Sequence, residues 1–215
     1  MNTRIKICGF TRPEDARTAA GLGADALGLV FYPGSKRHIG IDTARDIAAV
    51  LPPFASIVAL FVNAEAAHVR EVLTQVPVDM LQFHGDEPPA FCRQFERPYL
   101  KAVRVRGADD IVQAAARYAD ARALLLDAHV ADEYGGTGRA FDWSVLPDSL
   151  AVSWILSGGL HAGNVAAALR QTGARTVDVS SGVESAPGIK CPHKMREFIR
   201  QVRRFDAAAA GGVGR

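Results

Sequence analysis

Reactive side chains in this sequence recur at one kind of place, the end of a short apolar run. Cys8 follows RIKI and precedes Gly9, Gln82 and His84 precede Gly85, Asp127 follows three leucines, and Asp178 and Ser180 close TVDVS. A thiol and a carboxyl are the types that serve as general base and general acid when a reacting group lies between them. Each also has a structural reading. Cys8 could pack as a small apolar residue, Asp127 could cap or pair, Asp178 could form an ion pair with Lys6, and His84 could bond a loop carbonyl. Cys92 and Cys191 fall on helix-side segments and read as spectators.

Two glycine-bearing loops point to an anion. Ser157-Gly158-Gly159-Leu160 and Ser180-Ser181-Gly182-Val183-Glu184 each follow an apolar run, and backbone free of side chains lets N–H groups approach a phosphate. The alternative is a pair of tight turns in which glycine supplies positive φ. A third loop, His129 to Ala140, carries Gly135-Gly136-Thr137-Gly138 and reads as a cover over a site or as a surface loop. Pro33 to Gly40 places Lys36, Arg37 and His38 together, a solvated basic loop or one that offers a guanidinium to a carboxylate.

These loops need a scaffold, and the apolar pattern supplies one. Strand-like runs at Arg4–Cys8, Asp25–Phe31, Ser56–Val62, Asp79–His84, Tyr99–Val105, Ala123–Asp127, Val152–Ser157 and Thr176–Ser180 alternate with segments of helical period. The helical segments are Pro13–Leu22, Thr43–Leu51, Ala64–Val76, Ala108–Tyr118, Ala162–Thr172 and Pro192–Phe205, with room only for short helices in Pro88–Phe95 and Trp143–Pro147. Thr11 and Asp42 are placed to cap the first two. Runs such as LGLVF and IVALFV are apolar throughout, as strands covered on both faces require, and parallel neighbours need these helical crossovers. Eight units predict an α/β fold, a single-domain (β/α)8 TIM barrel over residues 1–205, with 206–215 (DAAAAGGVGR) a flexible Ala/Gly-rich tail. An open doubly wound sheet is the alternative. In such a barrel the strand ends and following loops carry the chemistry, and loops seven and eight commonly hold phosphate.

Composition narrows the function classes. Among 215 residues, 25 Lys+Arg against 23 Asp+Glu leave a formal charge of +2, which argues against a chain built to hold nucleic acid or an anionic membrane. Three cysteines far apart, with no CxxC pair, suggest neither a disulfide framework nor a local zinc site. No apolar stretch approaches the roughly 18 residues of a membrane helix, and the first residues do not read as an export signal. A cytoplasmic protein is expected.

Taken in order, the motifs closely resemble those of the phosphoribosylanthranilate isomerase family of tryptophan biosynthesis. The likeness runs from about residue 3 to residue 205 and rests on KICG at Lys6–Gly9, PGSKR through Arg37, LQFHGDE at Leu81–Glu87, the LLLD end at Asp127, GGTGRAFDW at Gly135–Trp143, LSGGL at Leu156–Leu160 and VDVSSGVESAPGIK at Val177–Lys190. The resemblance implies a barrel that converts N-(5-phosphoribosyl)anthranilate to 1-(2-carboxyphenylamino)-1-deoxyribulose 5-phosphate by an Amadori rearrangement, with no metal and no organic cofactor. It implies Cys8 as general base, Asp127 as general acid, Arg37 as partner of the anthranilate carboxylate, and Gly158, Gly159, Ser181 and Gly182 around the phosphate. The only partner implied is a phosphorylated small molecule, with the protein a monomer or homodimer. Cys191 departs from the pattern, standing where an acidic residue often follows the lysine.

The reaction suits these types. Furanose opening needs a proton on the ring oxygen, and loss of the C2′ proton then gives an enolamine that becomes the ketone. An ordinary thiol is roughly 3% ionised at pH 7, a cost of about 2 kcal/mol, so positive charge is expected to lower the Cys8 pKa. An ordinary aspartic acid is protonated in about one molecule in a thousand, a cost near 4 kcal/mol, so burial is expected to favour its acid form. The related isomerase of histidine synthesis uses paired aspartates where this chain has Cys8. A Schiff-base aldolase on Lys101 is disfavoured because that lysine lies early in its strand, and a non-catalytic phosphate receptor would need neither Cys8 nor Asp127.

Overall fold

Each apolar run forms a strand whose side chains alternate between the barrel interior and the helical layer. In the computed structural model, which describes residues 2–128, 142–147 and 149–211, the strands are β1 (Arg4–Cys8), β2 (Ala26–Val30), β3 (Ser56–Phe61), β4 (Met80–Phe83), β5 (Tyr99–Val105), β6 (Ala123–Ala128), β7 (Trp154–Leu156) and β8 (Thr176–Val179). They pair in parallel in chain order, and β1 pairs with β8 to close the barrel, Lys6 standing opposite Asp178. The helices are α1 (Pro13–Gly21), α2 (Ile41–Ala49), α3 (Ala66–Gln75), α4 (Pro89–Arg93), α5 (Ala108–Arg117), α6 (Val165–Thr172) and α7 (Pro192–Gly211). A two-stranded ribbon, β9 (Glu184–Ala186) and β10 (Ile189–Lys190), lies between β8 and α7.

The alternation explains why the runs look uniformly apolar. Outward residues such as Ile5, Ile7, Leu27, Leu29, Phe61 and Phe83 join one large core beneath the helices, with Phe31 stacked on Phe61 at 5.4 Å. Inward residues Val58, Leu100, Ala102, Ala123, Leu125 and Ile155 fill a separate inner layer. Burying each large side chain contributes roughly 1.5–3 kcal/mol, enough for two such layers to hold the strand ends in place. Above them Cys8, Val30, Leu60 and Val62 form the last layer before the mouth.

Three local expectations are corrected. Thr11 does not cap α1: the cap position is Arg12, and Thr11 Oγ1 donates instead to Gly188 O at 2.6 Å. Asp42 lies inside the first turn of α2, whose cap position is Gly40. The tail does not begin at 206, because α7 continues to Gly211, and Asp206 accepts from Thr3 N at 3.0 Å and Thr3 Oγ1 at 2.6 Å. The alanines that read as low complexity are good helix formers once the preceding turn is anchored. The loop His129–Ala140, with its Gly135–Gly138 stretch, lies outside the described residues. Among the described residues no helix is long and apolar enough to cross a membrane.

Candidate active site

Cys8 ends β1 on the inward face, and its position depends on a residue the sequence reading passed over. Gly28 is its register partner on β2, and a Cβ there would lie 2.6 Å from Sγ and 3.0 Å from Cys8 Cα. Glycine in an otherwise apolar strand is the signal of such a close approach. The Cys8 carbonyl accepts from Ser180 Oγ at 3.0 Å and Lys190 Nζ at 2.5 Å, which ties the strand end to the far side of the closure. Two residues back on the same face, Lys6 pairs with Asp178 at 2.8 Å, both buried, so the ion-pair reading of Asp178 holds.

The electrostatics of Cys8 reverse the sequence expectation. Burial raises its pKa; Lys6 and Lys190 pull it down, but Asp178 opposes them and the thiol stays above its ordinary value. Burial also presses on the Lys6 ammonium, yet Asp178 and Cys8 outweigh it and keep Lys6 charged. A cation therefore stands ready for a thiolate when one forms.

Across the mouth, Asp127 stands one residue before the end of β6, its carboxylate held by one hydrogen bond and facing His84 without a second. Oδ1 accepts from Ala128 N at 2.9 Å, and Oδ2 lies 3.3 Å from His84 Nε2. Gln82 Nε2 is 2.9 Å from His84 Nδ1; with the amide as donor, the ring proton falls on Nε2, toward Asp127. His84 is thus not bound to a loop carbonyl but faces Asp127. Lys101, by contrast, points into the helical layer, where Nζ donates to Gly85 O at 2.5 Å and pairs with Glu87 at 3.2 Å, away from the mouth.

Arg37 reaches the mouth from the loop after β2. Its Nε and Nη2 donate to Glu184 Oε1 and Oε2 at 2.8 and 2.7 Å, and its stem crosses Gly9, where a Cβ would lie 2.4 Å from Arg37 Cδ. Gly9 has φ +85°, so glycine is required there twice over. Neither Glu184 nor Lys190 was singled out from sequence, although both lie in the quoted VESAPGIK motif.

The two glycine loops are neighbours, but their glycines differ in role. Gly158 (φ +83°) lies against Asp127, since a Cβ there would come 3.1 Å from Asp127 Oδ1. Gly159 (φ +60°) follows it, with its carbonyl held by Asn164 Nδ2 at 2.9 Å. Ser181 and Gly182 form a single turn of 3-10 helix, and Gly182 packs so close to loop seven that a Cβ would lie 2.0 Å from Leu160 O.

Cys8, Arg37, His84, Asp127, Asp178 and Ser180 line one cavity of about 60 Å³. Larger hollows beside Tyr118 (about 370 Å³) and around Phe54 at the opposite end of the barrel (about 510 Å³) include none of Cys8, Arg37 and Asp127. A family model described as N-(5'-phosphoribosyl)anthranilate (PRA) isomerase matches residues 5–201. The chain belongs to that family. It is a PRA isomerase, an enzyme of tryptophan biosynthesis, as its motifs imply. A PRA isomerase from Neisseria gonorrhoeae is 57% identical over 202 residues, covering 94% of this chain and 97% of the relative. The crystal structure of the enzyme from Thermotoga maritima is 39% identical with a TM-score of 0.87, covering 94% of this chain and 99% of that one. A PRA isomerase structure in complex with reduced 1-(o-carboxyphenylamino)-1-deoxyribulose 5-phosphate is 36% identical with a TM-score of 0.80, covering 94% and 99%.

Proposed function

We propose that Cys8 and Asp127 carry out the proton transfers of the PRA isomerase reaction, with Arg37 and the two glycine loops holding the substrate's ends. The observation that carries this is convergence: a thiol from β1, a carboxyl from β6 and a guanidinium line one cavity at the carboxyl ends of the strands. Asp127 protonates the furanose oxygen as the ring opens, and Cys8 removes the C2′ proton from the resulting iminium. The enolamine then becomes the ketone of 1-(2-carboxyphenylamino)-1-deoxyribulose 5-phosphate. His84 Nε2–H is placed to stabilise the Asp127 carboxylate once its proton has gone, and Lys6 does the same for the thiolate. Arg37 binds the anthranilate carboxylate through the donors Glu184 leaves free, and Gly159, Ser181 and Gly182 face the phosphate, with Gly158 between it and Asp127. Two fixed anionic ends keep the sugar between acid and base.

The enzyme works in the cytoplasm as a monomer or homodimer, on a small phosphorylated substrate and without metal or organic cofactor. In the assay that tests the assignment, protein supplied with phosphoribosylanthranilate should abolish anthranilate-type fluorescence, while the histidine-pathway substrate is left unchanged. Gly159→Asp should weaken substrate and inorganic phosphate together; unchanged affinity for both in folded protein would remove the phosphate from this loop.

A further inference from the structure

Glu184 and Lys190 take no part in the proton transfers, yet both are deeply buried at the mouth. They are register partners across β9 and β10, with Lys190 Nζ 2.7 Å from Glu184 Oε1 and their side chains 0% and 5% exposed. Lys190 is itself fixed by the carbonyls of Cys8 and Ser180, and Lys194 Nζ donates to Glu184 O at 2.7 Å. A buried ion pair gains little stability over apolar residues of the same size, so stability alone does not account for it. What the pair does hold is Arg37, which meets Glu184 as a planar fork on two parallel hydrogen bonds.

We propose that Glu184, fixed by Lys190, is the positioning residue that orients Arg37 toward the substrate's carboxylate. The inference rests on the reading of Arg37 given above. The fork occupies the Nε and Nη2 edge of the guanidinium and turns its remaining donors away from Glu184, while the arginine stem is confined by Gly9. The donors are therefore in place before the ligand arrives, and their ordering cost is met in folding rather than in binding. Charge completes the argument. Lys190 offsets the Glu184 charge, its ammonium sustained by that carboxylate against the lowering that burial imposes, so the Arg37 charge is left for a carboxylate ligand to neutralise, which an uncharged aromatic ring would not do.

The experiment compares wild type, Glu184→Gln, Arg37→Ala and the double variant by kcat, KM and inhibition by the reduced product analogue with and without its carboxylate. Glu184→Gln keeps the shape but replaces one acceptor with a donor. KM should rise about tenfold or more, kcat should stay within about twofold, and preference for the carboxylated inhibitor should shrink. In the Arg37→Ala background the same change should add nothing. Independent, multiplying effects, or an unchanged KM and preference in folded Glu184→Gln protein, would overturn the positioning role while leaving the Arg37 reading intact. Retention of wild-type preference by Arg37→Ala would overturn that reading and this inference with it. Because Glu184→Gln leaves Lys190 without its counter-charge, Glu184→Gln with Lys190→Met repeats the test in a neutral pair; the same rise in KM is expected, and its absence overturns the proposal.

Discussion

Cys8 and Cys92 are both buried thiols, one at the barrel mouth and one in the helical layer on α4. Burial pushes both upward, Cys92 to about 12. Cys92 sits at 0% exposure in the apolar core, its Sγ 3.9 Å from Glu87 O, and lines none of the hollows described above. Cys8 lines a cavity it shares with Asp127, its neighbour Gly28 is cut away to admit the sulfur, and Lys6 lies on the same strand face. Withdrawal from water is common to both. What separates the proposed base from packing is an open face, a cation within reach and a carboxyl across the gap.

The comparison breaks most sharply on turnover. Cys8→Ser and Asp127→Asn should each lower kcat by roughly 10²- to 10⁴-fold with little change in substrate affinity, whereas Cys92→Ser should leave kcat nearly unchanged. The Cys8 and Asp127 losses should combine less than additively, and near-wild-type kcat in both variants would dismiss the acid–base assignment.

A smaller effect tests the buried pair as a whole. Lys6→Met with Asp178→Asn removes both charges of the buried pair, Lys6, which most lowers the Cys8 pKa, and Asp178, which raises it less. Because the base must be ionised and its pKa already stands high, wild-type kcat/KM should climb with pH above neutrality. In the double variant that limb should move to higher pH, at about tenfold in rate per unit of displacement. An unmoved limb would show that the Lys6–Asp178 pair as a whole does not tune the thiol.

The smallest effect belongs to stability. A folded pKa raised to about 12 means the Cys92 contribution is complete below the ordinary thiol value of about 8.5 and is lost as pH rises through that window. Cys92→Ala should therefore flatten the alkaline decline of urea stability while costing about 1–3 kcal/mol at pH 7 from lost packing. A decline as steep as in wild type would assign alkaline sensitivity to other groups.

Much of the barrel was legible because its signals are local. Strand ends carrying Cys8, Asp127 and Asp178 could be found by apolar period alone, and Gln82 and His84, two residues apart in one strand, share a face. Contacts between distant segments could not. Glu184 meets Arg37 across 147 residues and Lys190 meets the Cys8 carbonyl across 182, and no spacing rule links such positions. Gly28 reads as a neutral strand residue until the register sets it against Cys8. Thr11 had cap chemistry, but the Gly188 carbonyl competed for its hydroxyl. Asp206 looked like the start of a tail because its partner, Thr3, lies at the other end of the chain.

Closure of β1 on β8 also sets a timetable for synthesis. Lys6 is translated 172 residues before Asp178, the partner that balances its charge in the interior. At roughly 5–20 residues per second, about ten to thirty seconds pass with β1 made and the counter-ion of Lys6 not yet synthesised. Throughout that interval the ammonium must stay hydrated, so β1 has no dry resting place on the nascent chain. Of the eight barrel strands, the one that bears the thiol leaves the ribosome first and is among the last to be locked.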